Sequence, residues 1–120
     1  MTSRLPKHLF DALEAIRLAN EFTAGVSFEA YLSSALVRSA VERQLEVIGE
    51  ACQRMVSTEP ALRESIPELG LAIGLRNRII HGYDRVEHAV VYDTLTKDVP
   101  LLAQRLRAEL DRFGPPPGTP

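Results

Sequence analysis

From Leu9 to Leu110 the apolar residues of this chain recur three and four positions apart, and they seldom alternate singly. That spacing is one face of an α-helix, whereas strict alternation would mark a half-buried strand. The alternating runs are short, and no Asn-Gly or Asp-Gly dipeptide offers a hairpin turn. The chain is thereby restricted to an all-α fold, and its glycines and prolines decide where the helices end.

The first helix is expected from about Pro6 to Ala24, with Leu9, Leu13, Ile16 and Ala19 or Asn20 on one stripe. Pro6 suits the first turn, where a missing N–H is no loss, and Gly25 is a stop signal. A second, long helix is expected from about Phe28 to Ser57, capped by Ser27 and helped by Glu29 in its first turn. Its stripe runs through Phe28, Tyr31 or Leu32, Ala35, Val41, Leu45, Ile48, Cys52 and Met55. About thirty residues make roughly 45 Å of helix. In so small a chain such a helix either projects or packs on a second copy, and a dimer is the simpler answer. Gly49 lies inside it. An interior glycine costs about 1 kcal/mol relative to alanine, so another backbone is expected to pack closely there.

Pro60 and Pro67 make the next stretch two turns around a short helical piece at 61–65. A third helix is expected from about Glu68 to Ile80, ended by Gly82. The last is expected from near Val86 to about Phe113, on a stripe of Val91, Leu95, Val99, Leu102, Leu106 and Leu110. Pro100 falls inside that pattern and should kink or restart the helix. Four main helices and a short one, with short connections, read as an antiparallel up-and-down helical bundle. Residues 1–113 form this single domain, and Gly114–Pro120 is a Pro/Gly-rich tail expected to be disordered.

Composition narrows the partners. The net charge of -2 argues against a sequence-reading or sliding duplex binder but leaves room for a local cationic site. No run of eighteen apolar residues exists, and Met1–His8 lacks the apolar core of a signal peptide. Cys52 stands alone, which excludes an internal disulfide and fits a reducing cytoplasm.

The chemistry concentrates in Arg76-Asn77-Arg78-Ile79-Ile80-His81-Gly82-Tyr83. At about 100° per residue, Leu69, Ile73, Arg76 and Ile80 share one row of the helix, so Arg76 emerges from apolar neighbours. A buried arginine is expensive unless it meets an anion. Gly70, Gly74, Asn77 and His81 share the next row, which the two glycines make smooth enough for a helix or a phosphate backbone to approach. His81 ends the helix, where the negative pole of the dipole attracts a cationic ring. A histidine that exchanges protons near neutral pH, beside a guanidinium fork that fits phosphate oxygens, suits phosphodiester transesterification. In that reaction the 2′-hydroxyl of RNA attacks the adjacent phosphorus, His81 moves the proton, and Arg76 with Asn77 stabilises the phosphate charge. No metal or other cofactor is required.

Residues 76–83 resemble the Arg-x-x-x-x-His-x-Tyr motif of the HEPN superfamily, and specifically of its HepT toxin family. Val41-Glu42-Arg43-Gln44-Leu45-Glu46-Val47-Ile48-Gly49-Glu50-Ala51 is similar to that family's second-helix signature, and Gly74-Leu75-Arg76-Asn77 leads into the motif as it does there. The resemblance covers roughly residues 5–112. It implies a homodimer whose two motifs meet in a cleft, with Arg76 and His81 as the catalytic pair and Asn77 in support. It also implies a toxin–antitoxin partner, a small MntA-like nucleotidyltransferase that moves AMP from ATP onto Tyr83 and forms a higher hetero-oligomer. Nucleotide phosphates two residues from His81 would exclude RNA by bulk and charge.

Other side chains carry competing readings. Arg78 and Arg85 could steer RNA or be plain surface charges. Glu46 and Glu50 could orient Arg76 or Arg78, although ordinary surface ion pairing is favoured. Tyr31 and Tyr92 could stack bases, but their places near apolar stripes favour packing. His8 and His88 have no ligand spacing with His81, and Cys52 reads as a buried thiol. Two rival functions stand beside the enzyme: a HEPN bundle that only docks a nucleotidyltransferase or holds a nucleotide, and a plain dimeric four-helix interaction protein.

Overall fold

The computed structural model of the protein describes residues 3–82 and 86–114. Seven α-helical segments follow one another: α1 (Leu5–Thr23), α2 (Phe28–Ser33), α3 (Ala35–Thr58), α4 (Leu62–Ser65), α5 (Glu68–His81), α6 (His88–Asp93) and α7 (Val99–Asp111). A single π-helical turn, Thr94–Asp98, joins α6 to α7. Contacts close a ring in which α1 meets α3, α3 meets α5, α5 meets α7 and α7 returns to α1. The architecture is the all-α antiparallel bundle that the periodicity demands.

Most of each expected stripe faces inward, but Ala35 is exposed and Leu13, Phe28 and Leu110 are half-buried. Leu9, Ile16 and Ala19 of α1, Val41, Leu45, Ile48, Cys52 and Met55 of α3, and Leu102 and Leu106 of α7 are all buried in one core. Asn20, the alternative to Ala19, is exposed. No charged side chain is buried among the described residues. None of the helices is long and apolar enough to cross a membrane.

The expected long second helix is two helices. The chain leaves the helical region at Ser34, whose backbone is extended at φ -115° and ψ 98°. The Ser34 hydroxyl accepts a hydrogen bond from the Val37 N–H at 3.1 Å, so it caps the start of α3. The Arg38 guanidinium donates to the Leu32 carbonyl, satisfying an acceptor at the end of α2. The apolar spacing crosses the break unchanged, which is why it conceals it. With 24 residues, α3 is roughly 36 Å long and fits within the 47 Å longest dimension of the molecule. Its length therefore supplies no argument for a second chain.

The last helix is also divided, and Pro100 is the reason. Proline has no N–H to donate and crowds the turn before it. The chain widens there into a π-turn, in which the Val99 N–H reaches back to the Thr94 carbonyl. The short α6 packs on α2 through an aromatic cluster: the Tyr92 ring lies 5.3 Å from Phe28 and 5.4 Å from Tyr31, and His88 approaches Tyr31 edge-on at 6.5 Å. The Tyr92 hydroxyl donates to the Val26 carbonyl at 2.8 Å. Tyr31 and Tyr92 are thus packing residues. Of the expected tail, only Gly114 lies within the described residues.

Replacing the α3 cap tests the break at Ser34. Ser34→Ala should lower unfolding stability by about 1 kcal/mol, read as a reduced urea midpoint with an unchanged slope. A mutant as stable as the wild type would mean that the hydroxyl contributes nothing to the start of α3.

Candidate active site

The site is built on α5, and α5 is set by a glycine on another helix. Gly49 of α3 is buried, and a β-carbon placed on it would lie 2.3 Å from Cβ of Arg76 and 2.9 Å from the Ala72 carbonyl oxygen. The expected close approach at Gly49 is therefore real, and its partner is the stretch of α5 that carries Arg76. Leu69, Ala72, Ile73 and Leu75 bury the same side of α5 in the core.

Arg76 leaves this apolar bed half-buried. Its stem lies against Gly49, its Nε is buried without a hydrogen-bond partner, and its Nη1 donates to Oδ1 of the half-buried Asn77 at 3.2 Å. The fork is thus held from one side by an amide, and no carboxylate among the described residues pairs with it. Glu46 and Glu50, on either side of Gly49 in sequence, do not supply one. Glu46 pairs with Arg43 at 3.3 Å and Glu50 with Arg54 at 2.9 Å, both along their own helix. The ordinary surface reading of these two glutamates is the correct one.

His81 is the last residue of α5 and is exposed. Gly82 follows with φ 58° and ψ 35°, the left-handed conformation that ends a helix and that glycine adopts without strain. Five positions separate His81 from Arg76, a rotation of about 140° around the helix, and only four separate it from Asn77, about 40°. Asn77 is therefore the polar link between the arginine side of α5 and the histidine side. Arg78 is exposed, about 200° from Arg76, so it belongs to a different face of the helix. Tyr83 and Arg85 lie outside the described residues.

The two other glycines of α5 behave differently from Gly49. A β-carbon on Gly74 would meet nothing within 4 Å, and one on Gly70 would meet only the end of the Arg63 side chain at 4.0 Å. The row that leads to Asn77 and His81 is open on the surface. Near it, Leu71 and Ile80 are 53% and 44% exposed, so α5 presents apolar area beside its polar groups.

No group of three His, Cys, Asp or Glu side chains is arranged to hold a metal ion among the described residues. Cys52 is buried in α3, and burial pushes its thiol up to about 12, which leaves it a poor nucleophile.

An all-helical bundle with an arginine–asparagine pair on one helix, closed by a histidine at that helix's end, defines a HEPN-type module. Comparison with known proteins gives the family. The family model described as "Ribonuclease HepT-like" matches residues 12–109. A relative from Thermococcus cleftensis, "Probable ribonuclease HepT", is 37% identical over 95 residues, covering 79% of this chain and 86% of that protein. A second, "Putative RNase MJ1380" from Methanocaldococcus jannaschii, is 31% identical over 100 residues, covering 82% and 89%. No solved structure matches the chain. The chain belongs to the HepT-like ribonuclease family.

The buried acids outside the site fix a pH dependence. Burial raises the Cys52 thiol from 9.0 to about 12, and burial followed by the charge of Glu42 raises the Tyr31 hydroxyl from 10.0 to about 12. Both groups ionise first in the unfolded chain, so their contribution to stability is whole below pH 9 and is lost as pH rises toward 12. The urea midpoint should fall steadily above pH 9, and Cys52→Ala should flatten the first part of that decline. In the native protein a thiol reagent at pH 8 should modify Cys52 only at the rate of unfolding; rapid labelling would contradict its burial.

Proposed function

We propose that this chain is a metal-independent endoribonuclease and the toxin of a type VII toxin–antitoxin pair, silenced when an MntA-like nucleotidyltransferase transfers AMP to Tyr83. The observation that carries the catalytic part is the Arg76–Asn77 pair: a half-buried guanidinium with no carboxylate partner among the described residues, oriented by an amide, on the helix that ends in His81. That is a place prepared for an external anion, and in a member of this family the anion is an RNA phosphodiester.

The reaction is a transesterification. The 2′-oxygen bonds to the adjacent phosphorus and loses its proton, while the bond to the 5′-oxygen breaks and that oxygen gains one. The products are a 2′,3′-cyclic phosphate and a 5′-hydroxyl. Negative charge grows on the non-bridging oxygens, where Arg76 donates, and His81 handles the proton. A homodimer that joins two open Gly70–Gly74 rows would bring two histidines to one phosphate, so that one takes a proton while the other gives one. The apolar area of Leu71 and Ile80 beside that row supports burial against a second copy. Arg78 and Arg85 would attract RNA at longer range, offsetting the net charge of -2.

His81→Ala should slow RNA cleavage by about 10²–10⁴-fold, and Arg76→Ala by about 10²–10³-fold, with helical content preserved. The product should carry a 2′,3′-cyclic phosphate, and a chelator should leave the rate unchanged. Full activity in both mutants would overturn the catalytic assignment. If neither wild type nor mutant cleaves RNA while the nucleotidyltransferase still binds, the chain is a docking module.

Control at Tyr83 is tested separately. Tyr83→Phe should stay toxic and gain no AMP when incubated with the partner and ATP, as read by intact mass. AMP on the mutant would move the modification to another residue.

A further inference from the structure

Gly49 is twenty-seven positions from Arg76 in sequence, yet its missing side chain is the space that the Arg76 stem fills. A β-carbon there would stand 2.3 Å from Cβ and 2.9 Å from Cγ of Arg76. Carbon atoms in contact sit about 3.5–4.0 Å apart. An alanine at this position would therefore force α5 away from α3 by about 1 Å. It would also drive the Arg76 stem out of its present rotamer, because Cγ is crowded as well as Cβ. The Ala72 carbonyl, 2.9 Å from the same point, closes the other exit.

The position of the guanidinium depends on that stem. Nε is buried and without a hydrogen-bond partner, so it does not hold the group in place. Among the described residues, the hydrogen bond that does is from Nη1 to Asn77. Packing against Gly49 is thus a second point that fixes the fork, and among the described residues it comes from outside α5. We propose that Gly49 is a positioning residue for the active site: its bare Cα clamps the Arg76 stem and so presents the guanidinium beside Asn77. This inference rests on the ribonuclease reading for its catalytic consequence, but the clamp itself does not.

Two readouts keep those apart. The first is the Nε–H resonance of Arg76 in the full-length protein, identified by its loss in Arg76→Lys. Buried as it is, this proton should exchange slowly with solvent. Gly49→Ala should shift the resonance and speed its exchange, whereas Ile48→Val, a core change on the neighbouring residue of α3, should leave it in place. The second readout is cleavage of a labelled single-stranded RNA. Displacing a charge-stabilising group by about 1 Å costs on the order of 100-fold in rate, and the loss should fall on kcat with KM little changed. Ile48→Val, a destabilised core variant on the neighbouring residue of α3, should keep wild-type kcat at a temperature where it is folded.

An unmoved Arg76 resonance in Gly49→Ala would overturn the clamp. A moved resonance with unchanged kcat would overturn the role in positioning while leaving the ribonuclease reading intact. Absence of cleavage by the wild type would sink the ribonuclease reading, and the resonance would then decide the clamp alone. Should Gly49→Ala fail to fold, Gly49→Ala combined with Arg76→Gly removes both crowded carbons. Recovery of a folded spectrum in the double variant supports the clamp; failure of both assigns the crowding to the helix backbones and overturns it.

Discussion

Everything at the candidate site depends on how closely α5 lies on α3. Two helices approach to the point of backbone contact only where one of them lacks a side chain, and Gly49 is that place. The approach lets a charged residue sit in an apolar row with only part of its guanidinium buried. The stem of Arg76 takes the room a side chain would have occupied, and the fork emerges half-buried against Asn77. The glycine thus forgoes about 1 kcal/mol of helix propensity and gains a contact that no larger residue allows.

The same logic separates the glycines of α5 from Gly49. Gly70 and Gly74 make no close approach to the described residues, so they keep one face of α5 low while Gly49 keeps the opposite face tight. Between these faces stand Asn77 and, at the end of the helix, His81. The rest of the bundle serves this arrangement. The Glu68–Arg105 ion pair at 2.8 Å ties the start of α5 toward α7, and the aromatic cluster of Phe28, Tyr31 and Tyr92 fixes α6 on α2.

Most of the fold was legible because helices announce themselves through period and punctuation. The reading of 68–80 as a helix ended by Gly82 needed only a 3.6-residue repeat and a glycine that can take a positive φ, and α5 falls within one residue of it. The break at Ser34 was hidden because the apolar spacing continues through it. What ends α2 is a serine cap together with a guanidinium from Arg38, and such local hydrogen bonding leaves no mark on periodicity. At the site, rows on a helical wheel correctly set Arg76 apart from Asn77 and His81. They could not show that Gly49, on another helix, faces Arg76, since a wheel carries no information about which helices touch. Glu46 and Glu50 were candidates for the same reason, and their local arginines take them instead.

The π-turn at Thr94–Asp98 sets which face the following helix presents to the core. A π-turn holds one residue more than the α-helical turn it replaces, and Pro100 makes that extra residue useful. Residues 91, 95 and 99 are each four apart, a spacing that drifts by about 40° per step on an α-helix, yet all three are buried. Underwinding absorbs the drift. The turn therefore lets α7 begin at Val99 with Pro100 in its first turn, while Leu102 and Leu106 stay on the same buried face as the residues before them.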